Sequence, residues 1–339
     1  MEDMGFGTLA VAWLRMIRPP ILFLCSFGAL VSALNCAIYN NVTLSVFQIL
    51  FLLLGPAFLS TGTMFHNDIT DLESDKVNRP KKPVPAGILK EKTVYYLGIS
   101  FMICSIFLGT FVNYFDSGVL NWQCGLLTFL LVVIGLYYNY FGKHHGIFGH
   151  MAVAVGVGAI PYWGNLAIFP DQPLLMLPLS VAIFFQETGR EIMVCAGDYV
   201  GDLKAGFKTT PVRHGRKRSM QFALFYYLLF IPIFPLSAWD WAGIHMPPVF
   251  GIIYLIGGAI LAASLLLTWL LTYRVGRRSC ALSSHRAASR ECYNPDQSGD
   301  DQHQIVRFSH FHLSLPPAIV YSSVRNRCPK PCNPHKIRE

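Results

Sequence analysis

Long apolar runs separated by polar segments dominate the chain up to residue 273. Eight of these runs are each about 20 residues long, which is the length that an α-helix needs to cross a bilayer. They lie near residues 19–39, 46–66, 94–114, 119–140, 147–168, 173–195, 220–238 and 248–273. The pattern therefore predicts an all-α integral membrane protein whose helices form a transmembrane bundle.

The pattern changes near residue 279, where a polar stretch without apolar periodicity begins. This change predicts a transmembrane domain over residues 1–278 and a polar C-terminal tail over residues 279–339. A weaker apolar stretch at 308–324 contains His310, His312 and two consecutive prolines, so it is not predicted to span the membrane.

Composition supports the membrane interpretation. Hydrophobic residues make up 53% of the chain and charged residues 14%, whereas soluble domains carry about 25% charged residues. This balance excludes a soluble protein, a disordered chain and a small disulfide scaffold. The first apolar run follows Arg18-Pro19-Pro20 and lacks a small-residue cleavage site, so it is predicted to be the first helix and not a signal peptide.

The distribution of basic residues predicts the topology. All 27 Lys and Arg residues lie in alternating polar segments, and the opposite connections hold none. By the positive-inside rule, the N-terminus and both long connections, 66–92 and 189–219, are predicted to be cytoplasmic. Topology thus accounts for the net charge of +8, and no nucleic-acid partner is expected.

Each long connection contains two aspartates spaced four residues apart. Asn67, Asp71 and Asp75 would share one face of a helical extension, and Asp198 and Asp202 repeat the spacing. Carboxylates crowded on one face repel each other unless a cation lies between them, and oxygen ligands suit Mg²⁺. Basic residues follow each cluster, so the pattern predicts a diphosphate bridged by Mg²⁺ and bound by Lys and Arg. Lys81 and Lys82 are predicted to lie outside the clusters.

Both motifs resemble those of a known family. The first consists of Asn67-Asp68-x-x-Asp71-x-x-x-Asp75 followed by Asn78-Arg79-Pro80, and the second of Asp198-x-x-x-Asp202-x-Lys204-x-Gly206-x-Lys208. They resemble the two signatures of the UbiA-type intramembrane prenyltransferases, over roughly residues 10–273. Arg18, Tyr138 and Lys143 match weaker family features. In style the motifs look most like those of archaeal geranylgeranylglycerol-phosphate and chlorophyll-synthase-like members.

The resemblance implies a bundle around a central cavity, with nine helices in the family where the sequence shows eight. It implies Mg²⁺ bound by Asn67, Asp71, Asp75, Asp198 and Asp202, the four aspartates being catalytic. It implies a polyprenyl diphosphate contacted by Arg18, Asp68, Arg79, Tyr138, Lys143, Arg190 and Lys208. The implied reaction is Mg²⁺-dependent transfer of a polyprenyl group, such as geranylgeranyl, to a hydrophobic or amphipathic acceptor of lipid biosynthesis, with release of diphosphate.

Other functions stay open at this point. An aromatic quinone precursor is an alternative acceptor, and a terpene cyclase would share the metal site without an acceptor. A secondary transporter is disfavoured, because no Asp, Glu, Lys or Arg lies in the middle of any predicted span.

Two local features complete the interpretation. The chain has Val194-Cys195 where some family members have Lys-Asp before the second motif, although Arg190 and Glu191 are present. His144, His145 and His150 surround the start of the fifth run. They are interpreted as interfacial polar residues, because no Cys or carboxylate completes a metal-binding set.

Overall fold

The computed structural model describes residues 6–236 and 255–273, and every regular element within these ranges is helical. A 3₁₀ turn, Gly142–His144, lies between α7 and α8. The helices are α1 Phe6–Ile17, α2 Pro19–Tyr39, α3 Val46–Thr70, α4 Leu72–Asn78, α5 Glu91–Phe111, α6 Tyr114–Ser117, α7 Trp122–Tyr140, α8 Ile147–Ile168, α9 Leu177–Lys204, α10 Thr210–Leu236 and α11 Leu255–Tyr273. The prediction of an all-helical chain is confirmed for this part of the protein.

Local sequence signals set the helix ends. Pro19 and Pro20 occupy the first turn of α2, where a missing backbone N–H costs no helical hydrogen bond. Ser45 and Gln48 form a capping box at the start of α3, with each side chain accepting from the other residue's backbone N–H. The short helix α1 is not among the sequence predictions, because its apolar stretch is too short to span a bilayer.

Six helices are long and apolar enough to cross a membrane, namely α2, α3, α5 with α6, α7, α8 and α11. Large apolar side chains on their surfaces face outward, such as Leu24 and Ile38 of α2 at 63% and 73% exposure, as expected for contact with lipid. α9 and α10 occupy the positions of the sixth and seventh predicted runs, but both carry charged residues. The count of eight spans and the central cavity therefore stay predictions.

The long helices pack against one another along the chain and across it. α2 packs against α3 and α8, α3 against α5, and α9 against both α8 and α10. The core between α2, α3, α7 and α8 contains Ala29, Leu52 and Trp163, and the Trp163 indole N–H donates to Thr128 (2.8 Å). Close contact of α3 with α5 requires glycine at position 62, because a Cβ there would lie 2.7 Å from the carbonyl oxygen of Gly98.

Predictions for the C-terminal residues lie outside the described part of the chain. They concern the tail at 279–339, a ninth helix, and parts of the runs at 220–238 and 248–273. All the described residues belong to one compact unit.

Candidate active site at the aspartate motifs

The first motif lies where α3 passes into α4. The backbone N–H of Asp71 donates to Asn67 (2.9 Å), and that of Asp75 donates to Asp71 (2.7 Å), so the helical register continues through the junction. Asp71 lies between the two helices, as the C-cap of α3 and the N-cap of α4, with φ −90° and ψ 0°. The Asn67 amide donates to Asp71 Oδ2 (3.1 Å). The predicted helical extension is therefore present, with a bend at Asp71.

The second motif occupies the last two turns of α9, beyond the apolar part of that helix. Arg79 donates to both carboxylate oxygens of Asp198, at 3.0 and 2.7 Å. The Ser74 hydroxyl donates to Asp202 Oδ1 (3.0 Å). Contacts between α4 and α9 thus bring the two aspartate motifs together, although 127 residues separate the corresponding aspartates in sequence.

Arg18 reaches this site from the junction of α1 and α2. Its guanidinium donates to Asp68 Oδ1 (2.6 Å). Arg18 has φ 52° and ψ 67°, a left-handed conformation that costs a non-glycine residue about 1–2 kcal/mol. Pro19 disfavours the right-handed helical conformation for the residue before it, so α1 has to end here. The strained turn aims the Arg18 side chain at the first motif.

Lys82 lies inside the first cluster, which corrects the prediction that placed it outside. Its ammonium group is 2.9 Å from Asp68 Oδ1 and 2.5 Å from Asp75 Oδ2. The side chain of Lys82 is 17% exposed, and those of Asp68 and Asp75 are 3% and 6% exposed. Sequence spacing missed this contact because a series of turns between α4 and α5, and not a helix, folds Lys82 back. Lys81 is exposed.

Lys143 approaches from the 3₁₀ turn between α7 and α8. It forms an ion pair with Asp71 and donates to Asn67 Oδ1 (3.0 Å). Its ammonium lies 5.4 Å from the ring centroids of both Tyr138 and Phe207, a range in which cation–π attraction operates. Burial lowers the pKa of Lys143 to about 8, so the side chain stays largely protonated at pH 7.

Burial acts in the opposite direction on the second motif. Removal from water raises the pKa of the Asp202 carboxyl to about 6, against the opposing hydrogen bond from Ser74. Burial also raises the pKa of Asp198, although the Arg79 guanidinium opposes this. Burial therefore disfavours the charged form of each carboxylate. A cation bound close to them would favour the charged forms and oppose this effect.

Two of the predicted diphosphate contacts lie apart from the aspartates. Arg190 pairs with Glu187 and Glu191, about two turns before Asp198 on α9. The Lys208 side chain is exposed, while its backbone N–H donates to the carbonyl oxygen of Lys143 (3.0 Å). The roles of these two residues stay predictions.

Sequence reasoning missed Ser74 and Thr209, and it placed Asn78 in the first motif without predicting its contacts. Ser74 and Thr209 both donate to Asp202, and Asn78 bonds to the backbone of α9. Ser74 and Asn78 lie four residues apart in α4, so their helical spacing is the signal that could have placed them on one face.

A family model for the UbiA prenyltransferase family matches residues 22–288 of the chain. The chain belongs to the UbiA prenyltransferase family. This membership confirms the resemblance predicted from the two motifs and the prediction of a prenyltransferase.

Named relatives and solved structures agree with the assignment. The digeranylgeranylglyceryl phosphate synthase of Thermococcus kodakarensis is 29% identical over 228 residues, covering 66% of this chain and 77% of the relative. The synthase of the same name from Saccharolobus solfataricus is 28% identical over 227 residues, covering 66% and 76%. A UbiA homologue from Archaeoglobus fulgidus, solved with DMAPP and Mg²⁺, superimposes with a TM-score of 0.58 at 18% identity, covering 76% and 86% of the two chains.

Proposed function

We propose that this UbiA-family chain catalyses Mg²⁺-dependent transfer of a geranylgeranyl or similar polyprenyl group from its diphosphate to a glyceryl phosphate lipid. The observation that supports this most is the convergence of both aspartate motifs with Arg18, Arg79, Lys82 and Lys143 at one end of the bundle. The names of the relatives support the acceptor class, because a digeranylgeranylglyceryl phosphate carries two such groups on one glyceryl phosphate.

The donor set at the motifs fits Mg²⁺. All five proposed ligands offer oxygen atoms, the donor that this hard cation prefers, and they are Asn67, Asp71, Asp75, Asp198 and Asp202. Hydrogen bonds from Ser74 and Thr209 orient the carboxylate of Asp202. Bound Mg²⁺ would supply positive charge where the departing diphosphate develops negative charge.

Basic side chains at the site pair with the aspartates in the structure and are proposed to contact the diphosphate when it binds. Arg79 and Lys82 pair with Asp198 and Asp75 in the structure. We propose that the diphosphate is contacted by Arg18, Arg79, Lys82 and Lys143, with Asp68 orienting Arg18 and Tyr138 supporting Lys143. Arg190 and Lys208 are proposed as further contacts. Cations that are already gathered at the site need little reorganisation to bind phosphate oxygens.

The membrane arrangement is part of the proposal. We infer that residues 1–278 form the catalytic domain with eight spans, and that residues 279–339 form a separate tail. The N-terminus and both aspartate motifs would face the cytoplasm, where the Lys and Arg residues are concentrated. Departure of the diphosphate would leave an allylic cation on the prenyl group. An apolar chamber in the bundle would keep water away from this cation.

A membrane assay tests this function directly. Membranes that contain the chain are supplied with labelled geranylgeranyl diphosphate, Mg²⁺ and one acceptor at a time, and products are identified by mass. A geranylgeranylglyceryl phosphate acceptor is expected to gain one prenyl group, and excess chelator is expected to stop the reaction. Transfer to an aromatic acceptor alone, or an acceptor-free hydrocarbon product, would overturn the lipid proposal and favour a quinone-pathway enzyme or a cyclase.

A further inference from the structure

A second group of potential metal ligands lies beside the aspartate site. His150 of α8 and Glu191 and Cys195 of α9 each offer a ligand atom, and these atoms all lie within 4.8 Å of one another. This group contradicts the reason for interpreting His150 as an interfacial residue, because a cysteine and a carboxylate from a distant part of the sequence lie close to its ring.

All three residues of this thiol cluster, His150, Glu191 and Cys195, are buried. His150 is 2% exposed, Cys195 8% and Glu191 9%. The Nδ1 atom of His150 faces the Cys195 sulfur at 3.8 Å, and its Nε2 atom is buried without a hydrogen-bond partner in the described part of the chain. Buried polar groups are normally hydrogen-bonded, and the long contact of Nδ1 with the sulfur is a weak hydrogen bond at best, so this nitrogen is available to bind an ion between the two side chains.

The spacing suits a tetrahedral ion after small side-chain adjustments. Bonds of about 2.0–2.3 Å to nitrogen, oxygen and sulfur place the ligand atoms of a zinc site about 3.5 Å apart. The contact between His150 and Cys195 is already close to that value. Glu191 also accepts a hydrogen bond from Arg190 at Oε1 (2.5 Å), which is the kind of outer contact that orients a ligating carboxylate.

Charge balance at the thiol cluster points the same way. Glu187 and Glu191 share the guanidinium of Arg190, and the buried ammonium of Lys143 interacts with Glu191 and Cys195. Loss of the Cys195 thiol proton would add a negative charge to this buried group, and a bound divalent cation would compensate it. Uncompensated charge is costly in a buried environment, and a bound dication removes that cost.

We propose that His150, Glu191 and Cys195 form a site for a thiophilic divalent cation such as Zn²⁺, separate from the Mg²⁺ site of the aspartates. A mixed nitrogen, oxygen and sulfur donor set selects zinc-class ions, whereas the all-oxygen aspartate set selects Mg²⁺. Three protein ligands leave a fourth position for water or a hydroxyl group, as in catalytic zinc sites. This inference does not depend on the proposed prenyl transfer.

Cobalt binding tests the site without any activity assay. The parent protein for the test is the full chain with the four cysteines beyond the described residues replaced by serine, at Cys280, Cys292, Cys328 and Cys332. Purified in detergent and loaded with Co²⁺, it is expected to show thiolate-to-cobalt charge-transfer absorption. Zn²⁺ should displace the signal, and excess Mg²⁺ should leave it unchanged.

Single variants in that background assign the ligands. Cys195→Ser and His150→Gln are expected to lose the absorption band and to bind Co²⁺ more than about tenfold more weakly at this site. Cys36→Ser is the matched control, because Cys36 is also buried but packs against Leu175 and Met176 away from the thiol cluster. Asp202→Asn should also keep the band.

The absorption spectrum of the parent protein can contradict the proposal without any variant. Absence of a thiolate band in the folded parent overturns the site regardless of how the variants fold. A band that persists in Cys195→Ser, or that disappears in Asp202→Asn, overturns the ligand assignment.

Discussion

The side chain of Asn78 binds the backbone of α9 at Gly201, between the two aspartates of the second motif. Its amide oxygen accepts from the Gly201 N–H (3.0 Å), and its amide nitrogen donates to the Asp198 carbonyl (3.0 Å). Asn78 lies three residues after Asp75, so one side chain holds the first motif against the second. Any change that moves this contact alters the spacing of all four aspartates.

Replacing Gly201 with alanine is expected to separate the motifs. A Cβ at this position would lie 2.5 Å from Cγ of Asn78, and overpacking of this kind typically costs about 1–3 kcal/mol. The Gly201→Ala variant should unfold at a lower temperature and bind Mg²⁺ and prenyl diphosphate more weakly, as measured by thermal unfolding with and without ligand.

Gly197→Ala is the matched control for that measurement. Gly197 lies one turn earlier in α9, and a Cβ there has open space within 4 Å. Alanine should stabilise the helix by about 0.5–1 kcal/mol. If the two variants behave alike, Asn78 does not set the spacing of the motifs.

Sequence periodicity predicted helices at all eight apolar runs because span length and hydropathy are local properties. α2 and α8 agree with the predicted runs at both ends. The helices α9 and α10 contain charged residues within or next to their apolar parts, so hydropathy alone does not establish them as spans.

The candidate site was predictable to the extent that its residues fall on regular helical spacing. Asp71 and Asp75, and Asp198 and Asp202, were found in this way. The position of Lys82 was predicted wrongly, because irregular turns and not helical spacing determine where its side chain lies. The contacts of Asn78 with Gly201 and of His150 with Cys195 join segments far apart in sequence, and no single-sequence pattern encodes such pairs.

Removal of the C-terminal residues tests the proposed division into domain and tail. A chain that ends after residue 288 keeps every residue matched by the family model. Its abundance in membranes and its Mg²⁺-dependent activity should stay within about twofold of the full chain, since polar tails of this composition bury little apolar surface. Loss of folded protein on truncation would show that the tail completes the bundle.

The proposed topology predicts which side of the membrane each loop faces. Cysteines introduced at the exposed positions Lys81 and Lys204 should react with an impermeant thiol reagent from the cytoplasmic side only. Cysteines at the exposed positions Thr43 and Asp171 should react from the opposite side only, measured as labelling above the wild-type background. Labelling of position 204 from the opposite side to position 81 would contradict the shared site.

Asparagine in place of Asp71, Asp75, Asp198 or Asp202 removes one negative charge and preserves the side-chain shape. If these carboxylates bind the Mg²⁺ that carries the diphosphate, each change should reduce turnover about 100-fold, equivalent to about 2.7 kcal/mol of transition-state stabilisation. Prenyl transfer and membrane abundance are measured together. Asp116→Asn is the control, because Asp116 is exposed and bonds to Ser45 near the start of α3, far along the chain from both motifs.

Lys82→Met tests the cation that the structure places between two buried carboxylates. Methionine retains most of the aliphatic stem but removes the ammonium group that pairs with Asp68 and Asp75. Asp68 keeps Arg18 as a partner, whereas Asp75 loses its ion pair. Breaking a buried pair by removing one partner costs about 3–5 kcal/mol, and the diphosphate would also lose a cation. Thermal stability and turnover should therefore both fall, with turnover reduced at least about tenfold.

The neighbouring Lys81→Met separates this effect from a general loss of positive charge. Lys81 is exposed and lies next to Lys82 in the same polar connection, so both variants lower the net charge equally. Exposed charges are screened by water and salt, so Lys81→Met should leave stability and turnover near wild type. Equal turnover in the two variants would mean that Lys82 contributes only general positive charge, and it would remove Lys82 from the proposed diphosphate contacts.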